Sequence, residues 1–530
     1  MQKDVAHNLG SLVSQLLLLF ILLIPLGVSA QIFQSARFER EQKNSDQEFI
    51  LISMKEEGLI LMRDKEKFKE GKQLWEFIRL DTTLQEVWSL ELDIESRLRL
   101  VGYEYKNNLL YLLYRLGEHE ASELTLFTIQ TNSKDVKKHS IKQELSFRVT
   151  HFSPLNTSIA LGGYVSNEPA ILLYDLASEK AKLVPGFFIS DTELLDLRVN
   201  TNNTFNTLIA DRTSKQKMRL ILKTFDASGA QLLEDIMEID TKKTILSGIT
   251  TTLLNDDLLV AGTWTEGNSK QATGLYSTLI DPFSEQTINY YDFGQLNHFL
   301  DYQSPKRIAT YKLRSQQANK VGEIPAFKTY ASPMRLEEQP QGFALLTEVY
   351  QPSTGLNSSP YWNNNMGMPY GYSPYGYNPF MNRYYNSPYQ YNTTQTGESK
   401  MLHASLAIFD SDGKLIQDYG LKLEDKNLNG LEQTADFIFY KDIVALAYKK
   451  EKELRILIGS PDGSSVSDTL FTKLSNPQEI VRNNSDTNSF TRSWYKNVFY
   501  VWGYQSIKNM ERKMEDATRY VFYINKVEAR

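Results

Sequence analysis

A frame recurs along this chain and constrains its fold more than any other feature: an apolar run, a turn former, a short polar turn and a second run. The copies begin with FIRLDTTLQEVWSL (77–90), LFTIQTNSKDVKKHSI (126–141), ILLYDLASEKAKLV (171–184) and LKTFDASGAQLLEDI (222–236). STLIDPFSEQTINYY (277–291), LAIFDSDGKLIQDYG (406–420), RILIGSPDGSSVSDTL (455–470) and a truncated YVFYINKVEAR (520–530) complete the series. The turn position falls on Asp81, Thr131, Asp175, Asp226, Asp281, Asp410, Ser460 and Asn525. Short polar side chains belong there because they accept from backbone N–H groups two residues on. Gly229, Gly413 and Gly463 follow where a hairpin needs positive φ. Each copy therefore predicts a β-hairpin.

Upstream of each hairpin lies a more apolar run: GLILM (58–62), LLYLLY (109–114), SIALGGY (158–164), TLIA (207–210), LLVAGTW (258–264), GFALLTEVY (342–350), IVALAY (443–448) and VFYVWGY (498–504). Several carry Ala or Gly in mid-strand, where a strand normally avoids them. Crowding around a central axis would explain this, and the runs read as the innermost strands of a β-propeller. The period of roughly 45–55 residues fits one four-stranded blade. The expected architecture is all-β, an eight-bladed propeller with seven blades as the alternative and an array of sandwiches behind both. The last unit ends on its third strand, and IFQSARFER (32–40) is placed to pair there and close the ring.

The frame resembles the β-propeller superfamily and, more loosely, its quinoprotein-like branch, whose repeat runs apolar-x-Asp-x-x-Thr-Gly-Lys-x-x-Trp. Phe409-Asp410-Ser411-Asp412-Gly413-Lys414 comes nearest, and Asp81 with Trp88 resembles the two ends of that pattern, one residue closer together. The other copies lack both the Gly-Lys and the Trp. The resemblance implies propeller geometry and carries over no site residue.

The N-terminus reads as an export signal. Lys3 precedes the apolar run Leu16–Leu26, and Val28-Ser29-Ala30 supplies small residues for cleavage, so the mature chain is expected to start near Gln31. The domain reading is thus a signal peptide over 1–30 and one propeller over 31–530. The chain has no cysteine, which excludes a lipoprotein anchor, disulfides and thiolate catalysis. No later segment is apolar enough to span a bilayer as a helix. The formal charge of −6, without a clustered basic surface, argues against nucleic acid as partner. Export by the Sec route to the periplasm, or to an outer-membrane-associated or extracellular place in a bacterial envelope, is the expectation.

One segment departs from the frame. Residues 351–399 form an insertion rich in Tyr, Asn, Pro and Gly, in which Arg383 is the one charge before Glu398. It shows no amphipathic period and reads as a disordered loop. Its tyrosines, Tyr370, Tyr372, Tyr375, Tyr377, Tyr384 and Tyr385 among them, offer contact area with a polar tip, suited to an envelope protein or a glycan. Its composition resembles that of loops in secreted propeller-like proteins of the Bacteroidetes. Before it, residues 304–330 are mildly basic through Lys306, Arg307, Lys312, Arg314 and Lys320 and read as a solvated strand face.

Chemical motifs are sparse. Asp425, Asn427, Asn429 and Gly430 with Asp436 match parts of a twelve-residue calcium loop, although a turn between blades explains them equally. No cofactor is expected, one calcium ion being the alternative. His119, His139, His151, His298 and His403 show no metal-ligand spacing, and there is no nucleophile elbow or phosphate-binding glycine loop. Arg63, Arg115, Asp211, Arg212, Glu266 and Glu348 follow the apolar runs and should gather on one face of the ring. The functional expectation is a non-catalytic binding or scaffold propeller. The alternative is an exported propeller enzyme, either glycan-cleaving or a quinoprotein-like dehydrogenase. Its mark would be paired carboxylates, or an Arg with a carboxylate, buried in the central funnel.

Overall fold

Short alternating runs bounded by Asp, Asn and Gly become strands, and consecutive strands pair antiparallel into eight four-stranded sheets. The structure is a computed structural model. It describes residues 32–529 except 44, 118–122, 143, 215–216, 253–257, 268, 282, 284–285, 353–398, 429–430, 442, 461–462 and 511–517. Blades 1 to 7 span residues 50–95, 98–141, 147–183, 192–238, 243–292, 330–428 and 435–471. Blade 8 takes three strands from 479–529 and its fourth from the strand Ile32–Glu41, which pairs along Thr518–Ala529 from Ile32↔Ala529 to Glu41↔Val521. The expected eight blades and N-terminal closure are both observed. Closure leaves no bare sheet edge between the ends of the chain.

The hairpin copies become the third and fourth strands of their blades, with one exception. Asp81, Asp226 and Asp410 accept from the N–H groups of Thr83, Ser228 and Asp412, as the turn chemistry requires. Gly229, Gly413 and Gly463 adopt φ of 80°, 72° and 88°. Asn525 instead lies inside the last strand, where its side-chain oxygen accepts from Arg37 of the closing strand at 3.0 Å. The turn expected there is replaced by a strand–strand contact.

The apolar runs are second strands, not innermost ones. Each blade begins with a further strand, such as Thr192–Val199 or Tyr330–Gln339, and these first strands touch those of neighbouring blades around the axis. Most are bulged, with a register shift at Leu194/Asp196, Ile245/Ser247 and Pro333/Arg335 among others. A bulge bends the strand and re-aims the residues beside it. It also explains the mid-strand glycines. A Cβ on Gly262 would sit 2.1 Å from the carbonyl oxygen of Ser247, the residue after the bulge, and one on Gly163 would sit 2.1 Å from that of Arg148. Close approach of two backbones, not crowding at the axis, selects glycine there.

Apolar clusters fill the wedges between blades. Trp75 of blade 1 meets Tyr114 of blade 2 edge-on at 6.0 Å, and the Trp88 indole donates to the Thr131 carbonyl at 2.8 Å. Two rims follow from this topology. The turns joining first to second and third to fourth strands form one, here the turn rim. The second-to-third loops and the links between blades form the other, the connector rim.

The basic segment is helical, which corrects the strand reading. Helix α1 (Pro305–Val321) lies in the link between blades 5 and 6, with Pro305 in its first turn and Gly322 ending it at φ 71°. Its polar composition gives no amphipathic signal, so only the flanking Pro and Gly could have announced it.

Candidate binding funnel

The turn rim encloses a cavity of about 560 Å³ to which every blade contributes. Its wall includes Lys55 from blade 1, Tyr105 and Lys106 from blade 2, Pro154 from blade 3, Asn200 from blade 4 and Thr252 from blade 5. Arg335 to Gln339, Phe437 to Phe439 and Ser493 to Lys496 come from blades 6, 7 and 8. All sit at or near the ends of first strands, so the bulged innermost strands position this surface.

Arg335 is its most heavily bonded group. One terminal nitrogen donates to Asp436 at 2.6 Å, to the Ser493 hydroxyl at 2.7 Å and to the Phe437 carbonyl at 3.2 Å. The other donates to Glu337, and the guanidinium lies over the Phe437 ring at 4.6 Å from its centre. Asp436 accepts in addition from the N–H groups of Phe437 and Ser493. Burial disfavours the Asp436 carboxylate, but Arg335 and then Arg492 hold its pKa below the usual range. The guanidinium pKa is raised: burial opposes its charge, and Asp436 and Glu337 outweigh that. An arginine with a carboxylate is therefore present in the funnel, the feature named above as the mark of an enzyme. Its donors are spent on bracing blades 6, 7 and 8.

Lys55 is differently placed. It opens a one-turn 3-10 helix, Lys55–Glu57, at φ 55°. Gly58 closes the turn at φ 117°, where a Cβ would lie 1.9 Å from the Leu80 carbonyl oxygen. The Gly58 carbonyl accepts the Trp494 indole N–H at 3.1 Å, pinning the turn to blade 8. No hydrogen bond or ion pair among the described residues engages the Lys55 ammonium. Water reaches the side chain, yet the funnel wall surrounds it. Its pKa is lowered, first by that enclosure and then by Arg335, against the opposite pull of Glu337 and Asp436.

Beside it the Tyr105 hydroxyl donates to Glu57 at 2.7 Å, and burial followed by Glu57 pushes its pKa up to about 12. Lys106 donates to the Pro154 carbonyl at 3.2 Å, and Lys496 pairs with Glu56 at 3.0 Å. Next to the funnel-lining Val199, the buried Arg198 reaches the Leu336 carbonyl of blade 6 at 3.5 Å. Asp196 accepts the N–H and hydroxyl of Thr250 at 2.8 Å. The charged groups of the wall thus cluster on blades 1, 2, 6 and 8, while blades 3 to 5 contribute Ser153, Pro154, Val199, Asn200, Thr201 and Thr252.

The residues expected on one face do share the connector rim, but they form no common site. Arg63 is buried against Glu76 at 2.7 Å and Asp46 at 3.1 Å. Asp211 pairs with Arg219, Arg212 pairs with Glu193 at 2.9 Å, and Glu266 is exposed. Arg115 is buried in its own blade. Glu348 accepts from the N–H groups of Thr434 and Ala435, and burial pushes its pKa up to about 8. Apart from the exposed Glu266, each is occupied by neighbouring groups. Tyr370, Tyr372, Tyr375, Tyr377, Tyr384 and Tyr385 lie outside the described residues, as do Asn429 and Gly430 of the calcium-loop match. That match's last residue, Asp436, serves Arg335. Sequence reasoning missed the funnel residues; Lys55 before a closing glycine was the one local signal.

No known family model matches this chain, and no curated protein does. Among solved structures it is similar to the β-propeller domain of the Trilobed protease from Pyrococcus furiosus, at 10% identity and a TM-score of 0.34 over 81% of this chain and 93% of that one. It is also similar to the polysaccharide lyase Uly1, at 7% identity and 0.37 over 93% and 99%. For prolyl oligopeptidase B from Galerina marginata the figures are 7% and 0.37, over 88% of this chain and 56% of that one. The chain thus spans little more than half the length of that peptidase. Its own ring of eight four-stranded sheets, closed by an N-terminal strand, makes the chain an eight-bladed β-propeller in fold.

Proposed function

We propose that the chain is an exported, non-catalytic binding propeller of the bacterial envelope, taking a glycan or a segment of an envelope protein into the turn-rim funnel. The observation that carries this reading is the division of labour between its cations. Arg335 is saturated by carboxylates, hydroxyl and carbonyl, whereas the Lys55 ammonium has no partner among the described residues within a wall built by all eight blades. A cavity of this volume accepts a ligand of a few sugar rings or residues. The export signal over 1–30 and the tyrosine-rich insertion belong to this reading as parts that deliver the chain to the envelope and extend its contact surface.

The Lys55 ammonium, with its lowered pKa beside an Arg–carboxylate cluster, favours a second reading, a glycan-cleaving enzyme using Lys55 as base. One experiment separates the two. Envelope polysaccharide fractions are incubated with the chain and with Lys55→Glu, and both retention and chain length are followed. Retention without shortening, lost in Lys55→Glu, supports the binding reading. Shortening that Lys55→Glu abolishes replaces it with the enzyme, and retention indifferent to Lys55 removes the funnel from both.

A further inference from the structure

We infer that helix α1 is a docking face for an anionic lipid surface. Lys306, Arg307, Leu313, Arg314, Lys320 and Val321 are all exposed and, at about 100° per residue, share one continuous arc that excludes Ser315, the helix's buried residue: Lys306, Leu313 and Lys320 lie opposite it, with Val321, Arg314 and Arg307 along one flank. That side holds four cations, and the helix carries no acidic residue from Pro305 to Val321. No ion pair engages Lys306, Arg314 or Lys320 among the described residues. The fifth cation, Lys312, is turned inward and donates to the Asn297 carbonyl at 2.9 Å.

The concentration of charge is against the trend of the molecule. The chain as a whole is −6, so everything outside this helix is more acidic still. An anionic surface would attract one face and repel the rest, which orients the ring as well as binding it. Lipid is favoured over a soluble polyanion by the apolar residues on the same face. Leu313 and Val321 are 54% and 70% exposed among the cations. Such tips gain by entering the headgroup boundary and gain nothing from a hydrated polymer. The helix is held for this task. Ser315 and Asn319 donate to Asp292 of blade 5 at 2.6 and 2.8 Å, and Asn297 and His298 donate their N–H groups to Asp418 of blade 6 at 2.7 and 2.6 Å. The link is thereby fixed to the connector rim, leaving the turn-rim funnel facing away from the surface.

The test is sedimentation with vesicles of phosphatidylglycerol and phosphatidylethanolamine, against phosphatidylcholine alone. The chain is used without residues 1–30, whose apolar run would itself enter lipid; all eight blades remain. Binding is expected to the anionic vesicles only and to fall with added salt. Lys306→Gln, Arg307→Gln, Arg314→Gln and Lys320→Gln together should weaken it at least tenfold. Leu313→Ser with Val321→Ser should weaken it severalfold, with the thermal midpoint of each variant unchanged. Absence of binding to the anionic vesicles, or binding indifferent to either variant, overturns the inference. Capture on immobilised heparin that equals vesicle binding and ignores Leu313→Ser/Val321→Ser also overturns it, in favour of a polyelectrolyte partner.

Discussion

Replacing Arg335 by Met should destabilise the ring by about 3–5 kcal/mol, the usual consequence of removing one partner of a buried pair. The structure supports the upper part of that range for Asp436 and the lower for Glu337. Their side chains are 4% and 23% exposed, so water can compensate Glu337 in part and Asp436 hardly at all. The lost contacts include hydrogen bonds to charged groups worth about 1.5–3 kcal/mol each, offset by the thioether's own packing against Phe437. The double variant Arg335→Met/Asp436→Leu should recover most of the loss, because the orphaned charge is gone. A residue of about 1–3 kcal/mol should remain for the N–H groups of Phe437 and Ser493 that Asp436 satisfied. Urea unfolding followed by tryptophan fluorescence measures both, since Trp494 is fully buried one residue from Ser493. A single-variant loss below about 1 kcal/mol would refute the bracing role. So would a double variant as unstable as the sum of the two singles, because the partners would then be acting independently.

Removing residues 32–41 should bare the edge of the last strand, and the chain should then self-associate in sedimentation velocity; a monomer of unchanged stability would contradict closure by that strand. Glu348 has its pKa raised from 4.5 to about 8, so the folded chain holds a proton that the unfolded chain has released between those values. Stability should fall as pH rises through that window, by up to about 5 kcal/mol at 1.4 kcal/mol per unit. Glu348→Gln should flatten the slope, so a gap between the two proteins that is the same at pH 5 and pH 9 would count against it. Gly262→Ala should cost about 1–3 kcal/mol in the same urea assay, because the new methyl meets the Ser247 backbone.

The third and fourth strands were legible because their turn chemistry is local: an Asp at the turn and a Gly at positive φ sit within a few residues of each other. First strands were not, because bulges break their alternation. Thr192–Val199 buries the charged Asp196 and Arg198 among its apolar residues, and Tyr330–Gln339 reads as a polar, proline-containing stretch. With those strands hidden, the apolar second strands are the ones that the sequence places at the axis. The funnel was illegible for a related reason. Lys55, Tyr105, Arg335 and Trp494 stand far apart in sequence and share no motif; ring closure alone brings them together. Asn525 misled because a single Asn at a repeat position cannot be told from one that pairs with Arg37 across the closing strands.

The central claim is that ligands enter at the turn rim. Hydrogen exchange by mass spectrometry, on the chain with and without an envelope fraction it retains, tests that claim most directly. Added protection should fall on the segments around Lys55, Tyr105, Arg335 to Gln339 and Ser493 to Lys496, four stretches of one wall. Protection confined to the connector rim, with those four stretches exchanging as before, would contradict it.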